Sequence, residues 1–130
     1  MHPSRSTTPK AAAAALLCVL AGLTGCDESP KKVSEFTGGN ATNGKVAINH
    51  YGCASCHTIP GIRGATALVG PPLTQVGGRM YIGGVMKNTP VNMIRWIQDP
   101  PAVDSMTAMP KLNVSEADAR DIASYLFTLK

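Results

Sequence analysis

The densest run of reactive side chains in the 130 residues is Cys53-Ala54-Ser55-Cys56-His57. Two thiols one helical turn apart, followed at once by an imidazole, fit three chemistries. A dithiol redox centre uses Cys-x-x-Cys inside a strand–helix unit, and this chain has almost no strand-like alternation. A structural zinc site needs four ligands, usually with a second Cys or His pair, and the only histidines are His2, His50 and His57. The third chemistry is covalent haem attachment. There the thiols form thioethers with the two vinyl groups of adjacent pyrrole rings, and the next imidazole lies under the iron. Haem attachment is the chemistry expected of these five residues, with a dithiol centre and a zinc site as its rivals.

The other two cysteines belong to the N-terminal segment. Arg5 and Lys10 precede an apolar run from Ala11 to Leu23 that ends in small residues. The run is short for a permanent membrane span and has the layout of a secretory signal, with a plain membrane anchor as the alternative. Leu23-Thr24-Gly25-Cys26 resembles the bacterial lipoprotein signal. That resemblance makes residues 1–25 a signal peptide and Cys26 the lipidated N-terminus. Stable anchoring then takes more than one acyl chain. Asp27 resembles the aspartate that marks retention at the inner membrane in enterobacterial lipoproteins. Cys18 leaves with the signal, so no even disulfide framework remains.

With Arg5 and Lys10 removed, ten basic residues face eight acidic ones, a net charge of about +2. Nucleic-acid binding usually needs a dense basic face, so that partner is not expected. Arg63, Arg79, Lys87 and Arg95 fall in the middle third, whereas Glu116, Asp118 and Asp121 come late.

Three helices are predicted to position the motif. Ala41 to Tyr51 puts Gly44, Ile48 and Tyr51 on one face, and Gly52 stops it before the cysteines. Thr89-Pro90 opens a second helix as cap and first-turn proline, with Val91, Ile94 and Ile97 as its apolar stripe. Pro100-Pro101 cannot continue it. The third starts at Ser115-Glu116-Ala117-Asp118, a variant capping box. It carries Ile122, Leu126 and Leu129 at helical spacing, with Ala119 and Ala123 permitting close approach. Residues 26–40 read as a lipidated tether with few apolar groups to bury. Residues 58–88 form a long Gly- and Pro-rich stretch, which in a small domain should wrap around something.

From Gly44 to Leu129 the chain resembles the class I cytochrome c family. The resemblance implies an all-α fold for residues 41–130, with three main helices and long loops around one covalent haem. It implies Cys53 and Cys56 as attachment residues and His57 as the proximal iron ligand. Gly70-Pro71-Pro72-Leu73 resembles the family's Gly-Pro-x-Leu segment, in which the proline carbonyl accepts a hydrogen bond from the proximal histidine; Pro71 would orient His57. Met109, in Thr107-Ala108-Met109-Pro110, stands where the family places its axial methionine. Met80, Met86, Met93 and Met106 are the other candidates, although Met93 falls on a predicted helix as core. His50 is too close in sequence to His57 to reach the opposite haem face. Trp96 matches an aromatic lining the haem pocket, and Tyr125 one that packs on Gly44. The 58–88 stretch departs from the shorter mitochondrial pattern, and Arg79 there reads either as a propionate partner or as a solvated cation.

The function implied is that of a one-electron carrier, not an enzyme, shuttling electrons between membrane-associated respiratory proteins. Its haem c would be His/Met-ligated and its lipid would hold it at the periplasmic face of a bacterial inner membrane. Mild basic charge would steer docking. A fixed haem subunit of an oxidase or reductase is the alternative; a haem sensor or peroxidase-like enzyme is a further one. With only 5% aromatic residues, the domain should also need the porphyrin as a plate to pack on.

Overall fold

The computed structural model describes residues 30–130. The elements in chain order are α1 (Pro30–Thr37), α2 (Ala41–His50), a 3-10 turn (Cys53–Ser55), a second 3-10 turn (Val76–Gly78), a two-residue hairpin of β1 (Tyr81–Ile82) and β2 (Met86–Lys87), α3 (Pro90–Gln98), α4 (Pro100–Val103) and α5 (Glu116–Phe127). The architecture is helical, as expected. Among the described residues no helix is long and apolar enough to cross a membrane.

Each main helix starts where a side chain can satisfy its free backbone donors. Asn40 Oδ1 accepts from the amides of Thr42 and Asn43 at 2.8 and 3.2 Å. Thr89 accepts from Asn92 N with Pro90 in the first turn, and Ser115 accepts from Asp118 N at 3.1 Å. The Asp118 carboxylate then takes hydrogen bonds from Ser115 Oγ (2.7 Å) and from Tyr51 Oη (2.8 Å), tying the end of α2 to the start of α5.

The core forms where α2 crosses α5, with α3 packed on α5 beside it. Gly44 makes the crossing close. A Cβ at that position would lie 2.1 Å from the Asp121 carbonyl oxygen and 3.0 Å from Tyr125 Cβ. Ala47 and Ile48 of α2 and Ala119, Ile122, Ala123, Tyr125 and Leu126 of α5 are buried around this contact.

The structure corrects the tether reading of residues 26–40 over its described part. Residues 30–37 are helical, and Val33 and Thr37 are buried. The Thr37 and Ser124 hydroxyls are hydrogen-bonded, and the Phe36 ring meets Phe127 edge-on at 5.5 Å. Val33 and Phe36 are too few to build a core of their own, but they complete the outer face of α5. Cys26 and the signal segment lie outside the described residues.

Other expectations shift by a few residues. Val91 is 75% exposed, and the buried stripe of α3 is Met93, Ile94 and Ile97. Pro100 does end α3, yet it also starts α4, because Asp99 Oδ1 accepts from Ala102 N. α5 stops at Phe127. Leu129 follows it half-buried, and its carbonyl accepts from Gly77 N at 2.8 Å.

Candidate cofactor site

Between α2, α3, α5 and the connecting loops lies a cavity of about 320 Å³. Its walls are mostly apolar, with Ile48, Ile59, Ile82, Ile97 and Leu126 among them. Cys53, Cys56 and His57 line it as well, and so do Pro71, Trp96 and Met109. Residues spread over more than fifty positions of sequence thus share one chamber.

The motif reaches the cavity because α2 is broken sharply. Gly52 takes a left-handed conformation (φ 72°), and the chain turns directly into the 3-10 turn that carries Cys53. Neither Cys53 nor Cys56 is in a disulfide. Burial pushes the Cys53 thiol above the ordinary thiol value.

His57 is fixed from two sides. Its Nδ1 lies 2.8 Å from the Pro71 carbonyl oxygen, so the ring N–H donates there. Nε2 is then the nitrogen with a free lone pair. The face of the ring is covered by Gly70, where a Cβ would stand 2.4 Å from Cε1. The backbone holds this arrangement: Gly70 N donates to Cys56 O at 2.7 Å and Leu73 N to Thr58 O at 2.8 Å.

Met109 comes from a self-contained loop. Lys111 pairs with Asp99 across its neck, and that hydrogen bond holds the Asp99 carboxyl below the usual carboxylate range. Inside the loop, Asp104 Oδ1 accepts from Met106 N (3.0 Å) and Thr107 Oγ1 accepts from Met109 N (3.2 Å). Met109 is half-buried. Met80 and Met106 are 79% and 88% exposed, and Met86 does not line the cavity. Met93 does, from within α3, where it belongs to the core. His50 stacks edge-on against Tyr51 at 4.9 Å, away from the cavity lining.

The cytochrome c family model matches residues 41–130. The chain belongs to the cytochrome c family. It is also 32% identical over 100 residues to cytochrome c oxidase subunit 2 of Alkalihalophilus pseudofirmus, an alignment that covers 76% of this chain and 28% of that one. The chain thus spans little more than a quarter of that relative's length.

A cytochrome c domain binds haem c covalently and transfers electrons to and from redox partners, and the cavity fits that group. The lining offers two thiols suited to covalent attachment of the ring, and imidazole and thioether groups suited to its iron, within walls otherwise fit for a flat apolar plate. The rival chemistries fit poorly. A dithiol redox centre depends on a lowered thiol pKa, whereas Cys53 is shifted upward. Among the described residues, no group of three or more His, Cys, Asp or Glu side chains is arranged to hold a metal ion.

Arg79 of this cytochrome c domain is neither simply solvated nor idle. It lines the cavity while its Nη2 donates to the carbonyls of Pro72 and Thr74, bracing the loop behind Pro71. No role of their own was expected from sequence for Gly70, Asp104 and Thr107. The last two had a readable signal: Asp and Thr each two residues before a methionine, the spacing of side-chain turns onto a following amide.

Proposed function

We propose that this domain is a one-electron carrier between membrane-associated respiratory proteins and not an enzyme. In this reading lipid on Cys26 holds it to the periplasmic face of the inner membrane. The observation that carries it is the convergence of Cys53, Cys56, His57 and Met109 on one apolar cavity. When bound, haem c supplies a one-electron Fe(III)/Fe(II) couple. Cys53 and Cys56 retain it through thioethers, so partner encounters cannot extract it. His57 offers Nε2 while Pro71 holds its Nδ1 proton, and Met109 offers its sulfur from a pinned loop. Trp96 and the aliphatic walls keep water away. If His57 and Met109 both hold the iron when haem is bound, the chain would leave no coordination site for a substrate.

Optical spectra of the purified protein, oxidised and reduced, together with its intact mass, test this reading. The expected result is a haem adduct with a reduced c-type spectrum and the long-wavelength sulfur-to-iron band in the ferric form. A colourless protein with alkylatable Cys53 and Cys56, or a ferrous form that takes carbon monoxide at neutral pH, overturns it.

The relation to an oxidase subunit supports a second reading, in which the domain relays electrons inside a respiratory complex. Native purification separates the two: a carrier elutes alone, a fixed subunit with its complex.

A further inference from the structure

α1 lies on the side of α5 away from the cavity. Ile122 and Leu126, four residues apart, line the cavity from one face of α5. Ser124 and Phe127 project from another face, where they meet Thr37 and Phe36. Arg120, on that side too, donates to the Thr37 carbonyl at 3.4 Å, and Asn40 N donates to Asp121 Oδ1 at 2.6 Å. α1 is therefore a rib fixed to the back of the domain.

Only Asp27, Glu28 and Ser29 separate Cys26 from Pro30. Four Cα–Cα steps span at most about 14 Å. A lipid on Cys26 would hold the start of α1 within that distance of the bilayer surface, which is short compared with the domain itself. Lys32 and Phe36 are four residues apart and share one flank of α1. Lys32 is exposed, and Phe36 stands 60% exposed despite its edge contact with Phe127. An aromatic beside a long cationic side chain suits the boundary between headgroups and acyl chains. Asp27, Glu28 and Glu35 offset Lys31 and Lys32, so this seat is apolar in character, not a basic patch.

We propose that α1 is the bilayer seat of the domain: with Cys26 acylated, Phe36 and Lys32 settle at headgroup level and the cavity side of α5 faces away from the membrane. The proposal rests on the lipoprotein reading of Cys26 and gives the anchored domain a fixed orientation.

The test uses the full lipidated holoprotein in vesicles of phosphatidylethanolamine and phosphatidylglycerol. With Cys53 and Cys56 in thioethers and Cys26 acylated, a thiol introduced by Lys32→Cys or Met106→Cys takes a nitroxide label alone. Met106 lies between Asp104 and Thr107, which line the cavity. Relaxation of each label is measured with lipid-soluble oxygen and with a water-soluble nickel chelate. The expected oxygen-to-nickel ratio is several-fold higher at position 32 than at position 106, and a flexible Gly-Ser insert between Ser29 and Pro30 should abolish the difference. Equal, aqueous ratios at both positions in acylated protein that floats with vesicles overturn the seat alone. An N-terminal peptide without acyl mass overturns the lipoprotein reading, and the seat with it.

Discussion

His57 Nδ1 and the Pro71 carbonyl oxygen lie 2.8 Å apart, and a carbonyl can only accept. The ring proton is therefore committed on that side, and Nε2 is the nitrogen with a free lone pair, the one that would meet the iron in the proposed reading. The same bond strengthens the imidazole as a donor. Nothing in the side chain of Pro71 makes the bond; its backbone does, from a loop tied to Cys56 by Gly70 N.

Gly70→Ala should disturb this pairing directly. The added Cβ would stand 2.4 Å from Cε1 and 2.8 Å from Nδ1 of His57, so ring or loop must move. The holoprotein should lose about 1–3 kcal/mol, the usual cost of overpacking, with an altered ferric spectrum. Thermal melts and optical spectra check both, and unchanged values would show slack behind the ring.

Thr107 should matter to Met109, the proposed sixth ligand, through one hydrogen bond. Thr107→Val keeps the shape but removes the acceptor for Met109 N, worth about 1 kcal/mol. Imidazole should then displace the methionine from ferric protein with about fivefold higher affinity, a factor equivalent to that energy. Thr107→Ser should restore the original titration. Equal titrations for all three proteins would assign the loop's order to Asp104 and the Asp99–Lys111 pair.

At the crossing of α2 and α5, Gly44→Ala places a methyl 2.1 Å from the Asp121 carbonyl oxygen. The neighbour is backbone, which cannot rotate aside, so the helices must separate. Urea unfolding should show a loss of at least about 1–3 kcal/mol. A midpoint equal to the parent's would mean that the crossing is looser than its geometry.

Asp118 predicts a pH dependence. Hydrogen bonds from Ser115 first, and then from Tyr51, hold its carboxyl below the ordinary range. A lowered folded-state pKa means the folded protein prefers the carboxylate. Its contribution is therefore complete above the unfolded value and is lost as pH falls through the folded one. Asp118→Asn should lower stability at neutral pH and flatten the decline below about pH 4. Melts across that range check the sign; a steeper acid decline in the variant would reverse it.

Removing the haem should undo more than redox function. The double variant Cys53→Ser, Cys56→Ser leaves a cavity of about 320 Å³ between α2, α3 and α5 with no plate to pack on. Helix content should fall and the cooperative melt should disappear, as read by far-UV circular dichroism. Native helicity with a sharp melt would show that the polypeptide core suffices.

What could be read from the sequence was whatever is local. Cys53 to His57 is a contiguous motif, and Thr89 and Ser115 lie at the helix starts whose amides they satisfy. α1 was not legible, because Phe36 and Thr37 gain meaning only against Phe127 and Ser124, some ninety residues away. Val91 was misassigned for a related reason. Helical spacing fixes which residues of α3 share a face, but the face turned inward is set by the cavity, which selects Met93 and Ile97. The four-residue α4 and the hairpin at 81–87 are too short for periodicity to register. Arg79 escaped because its partners are main-chain carbonyls, which carry no residue signature.

The chain between Cys56 and Leu73 leaves the motif and returns to it, closed by two main-chain bonds at its base. Ile59, Ile62 and Ala65 plug its interior, whereas Leu68 and Val69 stand 77% and 82% exposed near its return. Because the closure is made by peptide groups, an exposed side chain outside the cavity lining is free to vary without loosening His57. Leu68, outside the cavity lining, is thus a natural graft point, where recognition of a new redox partner can be installed, whereas Val69 lines the cavity and belongs to the site.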